Sequence, residues 1–242
     1  MTTATSQLLF GGDADLAADR EAALENVSDE PFLGRRNEPV SLALAERLET
    51  IGKRLVRKAP DPDRLDATRD LFIELCVISP VMIDYRKAFL ALGDFMRRPD
   101  DTNAAVLGEI LINAGLDIEE RALPRTQPEL TQMCLSLMGL EIEELAELDA
   151  VKPETIRRRL KKSGHWSVIT EELAKAGYWL SRRGLGPGEA RRWFFEDPNK
   201  RLEGLTPHAR VVETASPWRL QLSKVARAEL LEEFGVEVKP VE

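Results

Sequence analysis

Apolar residues recur three and four positions apart along most of this 242-residue chain. In the segment 38–58, one such stripe consists of Val40, Leu44, Leu48, Ile51 and Leu55. This spacing is the periodicity of an amphipathic α-helix. No run of alternating β-branched residues between turn dipeptides indicates a strand. The sequence therefore predicts an all-α fold.

The same periodicity predicts further helices over 63–78, 81–98 and 103–114. Thr102 or Asn103 is the expected N-cap of the last of these helices, and Gly115 is its expected C-terminal stop. The stretch 119–128 then contains two prolines among charged residues. Such a composition is typical of a linker, so we expect a domain boundary there.

The cysteines and the apolar segments indicate the compartment. Cys76 and Cys134 each lie in an apolar helical pattern and are expected to be reduced core residues. No stretch approaches the roughly 18 apolar residues of a membrane span. The N-terminal residues also lack the basic and apolar segments of a signal peptide. These patterns predict a cytoplasmic protein without a membrane partner.

Charge is distributed unevenly along the chain, whose formal net charge is −8. Residues 1–124 carry 15 Lys and Arg against 23 Asp and Glu, whereas residues 125–242 carry 19 of each. Within the second half, 152–192 holds 11 basic residues and four acidic ones. This basic island on an acidic protein is where we expect a polyanion such as double-stranded DNA to bind.

The basic island begins in a segment with the pattern of a helix-turn-helix. Short helices are predicted in quick succession at 129–138, 142–148 and 153–162. Pro153 suits a first helical position, and the expected inward-facing residues are Leu145, Ala146, Val151 and Ile156. Side chains on the opposite face of the last helix are expected to contact bases and phosphates. The predicted DNA-binding residues are Lys152, Thr155, Arg157, Arg158, Lys161 and Lys162.

The segment 142–160, IEELAELDAVKPETIRRRL, resembles the helix-turn-helix of many bacterial regulators. It departs from the usual pattern at Ala150, where glycine is common, and at Lys152, where a Ser or Thr cap is common. A second interpretation stays open for the basic run 157–162. Its arginines and lysines would then only solvate the helix and favour its negative C-terminal end.

A further ordered set of residues lies in 184–209 and predicts a compact corner. Trp193 and Phe194 are expected to be buried on one helical face, with a turn at 197–199. Gly204 permits a backbone conformation that other residues avoid. Thr206 is the expected cap of a helix that Pro207 starts.

This set resembles the C-terminal toxin-binding domain of Xre/MbcA/ParS antitoxins, in which a helix-turn-helix also comes first. The resemblance implies homo-oligomerisation, operator binding and, in true antitoxins, occlusion of a toxin's active site. The acidic region 1–124 has no counterpart in that family. The resemblance rests on Ala190 and Thr206 and on six residues to which it assigns partner binding: Trp193, Pro198, Asn199, Leu202, Gly204 and Pro207.

The predicted organisation has four parts. A flexible segment at 1–37 precedes an acidic helical domain at 38–124. A helix-turn-helix at 125–165 and an antitoxin-like helical domain at 166–242 follow.

No catalytic arrangement of nucleophile, base and oxyanion donors is apparent, and His165 and His208 lack partners at metal-ligand spacing. We therefore expect no enzyme activity, metal or cofactor. The leading hypothesis is a sequence-specific DNA-binding transcriptional regulator of bacterial or phage origin. The alternatives are an antitoxin or adaptor that neutralises a partner protein, and a purely structural helical protein. Candidates for a second phosphate-binding face are Lys175, Arg182, Arg183, Arg191 and Arg192.

Overall fold

The computed structural model describes residues 38–57, 85–162, 166–213 and 220–238. Every regular element in these ranges is helical, which confirms the predicted all-α class. None of the helices in the described ranges has both the length and the hydropathy that crossing a bilayer requires. The helices belong to two units, which divide between Ala122 and Leu123. The predicted helix at 63–78 and the predicted flexible segment at 1–37 lie outside the described residues.

The first unit contains three described helices: α1 (Glu38–Val56), α2 (Tyr85–Arg97) and α3 (Asp101–Ala122). The long α3 packs against both of the others. Their apolar stripes meet in one core, which includes Leu48, Ile51, Leu55, Leu92, Phe95, Leu107 and Leu111. Leu48, Ile51 and Leu55 of the stripe that predicts α1 thus lie on the face that α1 buries.

Glycines permit a close crossing of α1 and α3. A Cβ atom at Gly52 or at Gly108 would lie 2.7 Å from the carbonyl oxygen of the other glycine. Gly115 is equally close to α1, because its Cβ would lie 2.7 Å from the carbonyl oxygen of Ala45. The prediction of a helix stop at Gly115 is therefore wrong: α3 continues to Ala122, and the glycine serves helix contact instead.

The start of α3 also differs from the prediction. Asp100 accepts a hydrogen bond from the backbone N–H of Asn103 at 2.9 Å through its carboxylate. Asp100 therefore caps α3, because its carboxylate satisfies one of the backbone N–H groups in the first turn that have no partner within the helix. Asn103, one of the two predicted caps, instead donates from its side chain to the carbonyl oxygen of Arg98 at 2.8 Å.

The second unit is built around α7 (Val168–Arg182), which packs against α4 (Gln127–Met138) and α10 (Leu222–Glu233). Leu173 and Trp179 of α7 are completely buried. The remaining elements are α5 (Ile142–Leu148), α6 (Pro153–Arg159), α8 (Pro187–Phe195), a 3-10 turn at Lys200–Leu202 and α9 (Pro207–Glu213).

The sequence predicts separate domains at 125–165 and 166–242, and the helices described in both segments belong to this one unit. The physical reason is the contact of α7 with α4. A Cβ at Gly177 of α7 would lie 2.9 Å from the Cβ of Leu137, so the two helices approach closely. Cys134 of α4 is fully buried with a free thiol, as predicted, whereas Cys76 lies outside the described residues.

Candidate nucleic-acid interface

A tight turn joins α5 to α6. Ala150 has a φ of 51°, in the left-handed region that favours glycine. The backbone N–H of Val151 donates to the carbonyl oxygen of Ala146 at 2.9 Å, and that of Ala150 to Glu147 at 3.1 Å. Ala150 therefore adopts a backbone conformation in which glycine is more common than alanine.

The inner faces of α5 and α6 meet as predicted. Leu145, Ala146 and Ile156 are at most 1% exposed, while Val151 is half-buried. Pro153 follows the extended Lys152 and is the first helical residue of α6. Proline costs nothing there, because a backbone N–H at this position would have no acceptor within the helix. The predicted bounds of α5 are confirmed, whereas α6 ends at Arg159 rather than at 162.

One arginine of the basic run points inward. The Arg159 side chain is 4% exposed and forms an ion pair with Asp149, whose side chain is 10% exposed. The Ser167 hydroxyl donates to the other oxygen of Asp149 at 2.7 Å, and the Ser167 backbone N–H donates to Gln127 at 3.1 Å. Arg159 thus holds α6 to the turn and to the start of α7, and it does not solvate the helix.

The predicted DNA-binding residues lie on α6 and immediately before and after it. Lys152, Arg157, Arg158, Lys161 and Lys162 are exposed, and Thr155 is half-buried. The two nitrogens of the Arg157 guanidinium reach Glu143 at 2.6 Å and Glu154 at 3.2 Å. None of the other four cations forms an ion pair with another residue in the described part of the chain. Their charge is therefore available to a polyanion.

Arg191 of α8 ties the helix-turn-helix to the C-terminal corner. Its guanidinium nitrogens donate to the two Glu144 oxygens at 2.5 and 2.6 Å and to the carbonyl oxygen of Gly139 at 3.1 Å. The same Glu144 carboxylate accepts the backbone N–H of Glu141 at 2.9 Å, at the start of α5. The hydrogen bonds from Arg191 lower the pKa of Glu144, against a smaller opposing effect of burial.

The corner residues converge on one carboxylate, Glu229 of α10. It accepts hydrogen bonds from the indole N–H of Trp193 at 3.2 Å, from the side-chain amide of Asn199 and from Arg183. Trp193 and Asn199 are each 6% exposed. These two predicted partner-binding residues are therefore buried and stabilise the corner through their hydrogen bonds to Glu229.

The rest of the corner matches the conformations expected from the sequence. Gly204 has a φ of 84°, and Thr206 accepts the backbone N–H of Ala209 at 3.1 Å, as the cap of α9. Leu202 and Pro207 are buried. Of the six predicted partner-binding residues, only Pro198 and Gly204 are exposed. A partner that docks here would therefore contact mainly the neighbours of the motif.

The candidates for a second phosphate-binding face are largely engaged by carboxylates. Lys175 pairs with Glu171 at 2.9 Å, Arg183 with Glu229 and Glu233, and Arg191 with Glu144. Arg192 is exposed on α8. The structure thus does not gather these five cations into one open face.

The structural roles of two residues that organise the site, Arg159 and Glu229, are not predicted from the sequence. Arg159 has a local signal, because it follows the buried Ile156 by three positions and so lies on the same helical face. Glu229 has no such signal, since its donors lie 30 to 46 residues away along the chain.

Comparisons with known proteins give no match to a family model, a curated protein or a solved structure.

Proposed function

We propose that this chain is a sequence-specific DNA-binding transcriptional regulator, in which α6 enters the major groove of an operator. The proposal concerns binding and requires no catalysis. One observation supports it most: the basic residues of α6 have different environments on the two faces of the helix. Arg159 is buried against Asp149, whereas Arg158 and Lys161 are exposed on the other side without a described acidic partner.

The turn supports the same proposal. A second helix that crosses the first through small and apolar residues is the framework that presents side chains to a major groove. Ala146 is such a small residue, and Ile156 anchors the second helix against it. Exposed cations on the outer face then supply the phosphate contacts that give most non-specific affinity.

A gel shift with salt titration tests the proposal. The full chain is mixed with DNA from its own gene neighbourhood, with a scrambled duplex of equal length as competitor. We expect specific binding whose logarithm of affinity falls with the logarithm of salt concentration. Arg158→Ala should weaken specific binding about tenfold or more, and Lys161→Ala should reduce the magnitude of the salt slope by about 1.

The matched control is Arg97→Ala, which removes one exposed positive charge from α2 in the first unit. It should leave affinity and salt slope close to those of the unchanged protein. Equal effects of Arg97→Ala and Arg158→Ala, or no effect of Arg158→Ala, would contradict a DNA-binding role for α6.

We propose, as the alternative, that the C-terminal corner binds and neutralises a partner protein, such as a toxin. Val212 favours this function, because it is 69% exposed on α9, immediately after the corner. Size-exclusion chromatography with the product of the adjacent gene tests it. Val212→Glu should abolish co-elution and Arg158→Ala should not. Separate elution of the unchanged proteins would count against this alternative.

A further inference from the structure

The outward face of α6 carries a carboxylate among its cations. At 3.6 residues per turn, Glu154 and Arg158 lie opposite the buried Ile156 and Arg159, and Lys161 follows just beyond the end of α6. Glu154, Arg158 and Lys161 are exposed, and the Glu154 side chain retains 76% of its accessible surface. A carboxylate in this position is repelled by phosphates, so it weakens binding to DNA in general.

Arg157 holds the Glu154 carboxylate in place through only one of its two oxygens. Arg157 donates to Oε1 of Glu154 at 3.2 Å and is itself anchored by Glu143 of α5 at 2.6 Å. Oε2 of Glu154 has no hydrogen-bond partner among the described residues. One oxygen is thus positioned by the helix-turn-helix, and the other is open to a ligand.

A carboxylate accepts hydrogen bonds and cannot donate them. In the major groove the available donors are the amino groups of cytosine and adenine. Adenine presents its N7 acceptor beside that amino group, and guanine presents only acceptors, so both oppose a carboxylate. We infer that Glu154 is a specificity-determining residue that reads the N4 amino group of a cytosine, an inference that rests on the proposed DNA binding.

Arg158 follows Glu154 by four residues, or about 6 Å along the helix. That distance corresponds to about two base-pair steps of 3.4 Å. Arg158 donates bidentately and suits guanine, so α6 pairs one cytosine contact with one guanine contact nearby. The Glu154 carboxylate rejects sequences without the amino group, and the cations supply the affinity.

Selection from a pool of duplexes with a randomised core, bound by the full chain, yields the preferred site. Affinities are then measured for four duplexes that differ only at the selected cytosine. The unchanged protein should prefer cytosine over the other bases by about tenfold. Glu154→Ala should bring the four affinities together, and Glu154→Gln should shift the preference to adenine, which glutamine contacts through N6 and N7.

Glu147→Gln is the matched control, because it removes an exposed carboxylate from α5 outside this face. It should keep the cytosine preference, as should Arg158→Ala, which should instead lose the neighbouring guanine. Thermal unfolding of each variant checks the fold. A selective protein whose preference survives in Glu154→Ala overturns the inference alone. A protein that prefers no sequence over the scrambled competitor overturns both the inference and the proposed function.

Discussion

At the scale of single residues, neighbouring arginines have different tasks. Arg158 and Arg159 are adjacent in the sequence, but one is exposed and the other is 4% exposed beside Asp149. A rotation of about 100° along the helix separates their environments. A run of basic residues therefore describes charge, whereas the position of each residue relative to Ile156 decides what that charge contacts.

Replacement of Arg159 by alanine should destabilise the second unit by about 3 kcal/mol, because Asp149 would be left buried without its cation. Urea unfolding followed by tryptophan fluorescence measures this loss. Trp166, Trp179 and Trp193 lie in that unit, and the chain has no tryptophan before Leu123, so the signal does not come from the first unit's helices. Arg158→Ala is the control and should change the free energy of unfolding by less than about 0.5 kcal/mol. Equal stability of the two variants would contradict a structural role for Arg159.

At the scale of elements, local patterns are readable from the sequence and long-range contacts are not. The periodicity of apolar residues predicts α1, α5 and the inner face of α6, because each residue's environment depends on its own helix. Gly115 has the sequence signal of a helix end, yet it lies within α3 because α1 passes close to it. Glu144 and Arg191 likewise pair across 47 residues.

The close crossing of α1 and α3 should not tolerate a methyl group. Gly108→Ala would place a Cβ 2.7 Å from a backbone oxygen of Gly52, so we expect a loss of about 1 to 3 kcal/mol from the first unit. Circular dichroism during urea unfolding measures it. Gly93→Ala on α2 is the matched control: its nearest contact would be 3.9 Å away, and better helix propensity should raise stability by about 0.5 to 1 kcal/mol. The same loss at both positions would refute the steric account.

The pair of Glu144 and Arg191 should make stability depend on pH. The pKa of Glu144 is lowered in the folded chain, so its carboxylate stabilises the fold above the usual pKa range of glutamate. This contribution is lost as the pH falls through the lowered pKa. Glu144→Gln should cost about 1 kcal/mol at neutral pH, and the difference from the unchanged protein should shrink in acid. Urea unfolding at several pH values measures it, and a difference that is independent of pH would exclude this linkage.

At the scale of the whole molecule, charge is divided between two halves. Residues 1–124 carry the entire net charge of −8, and residues 125–242 are neutral overall. The exposed cations on and beside α6 therefore belong to a chain that is negatively charged overall. Under the proposed function these few cations supply the phosphate contacts, so we expect DNA binding to be salt-sensitive.

The salt slope should reveal how many copies bind. Lys152, Lys161 and Lys162 offer three cations per chain to phosphates, and each phosphate contact contributes about 0.9 to the slope. One bound copy should give a slope of about −3, and a dimer on two half-sites about −5. Gel shifts over a range of salt concentrations, with the stoichiometry measured in parallel, distinguish the two cases. A slope near zero would exclude phosphate contacts by these residues.

Cys134 allows transient opening of the second unit to be measured by thiol labelling, because it is a buried free cysteine. Its thiol is completely buried in α4, and burial raises its pKa, so it stays protonated and inert while the helices remain packed. Alkylation at this position therefore requires a transient opening of α4 against α7. The rate at which the Cys134 peptide gains label, followed by mass spectrometry, reports how often that opening occurs. A bound operator that stabilises the second unit should lower the labelling rate.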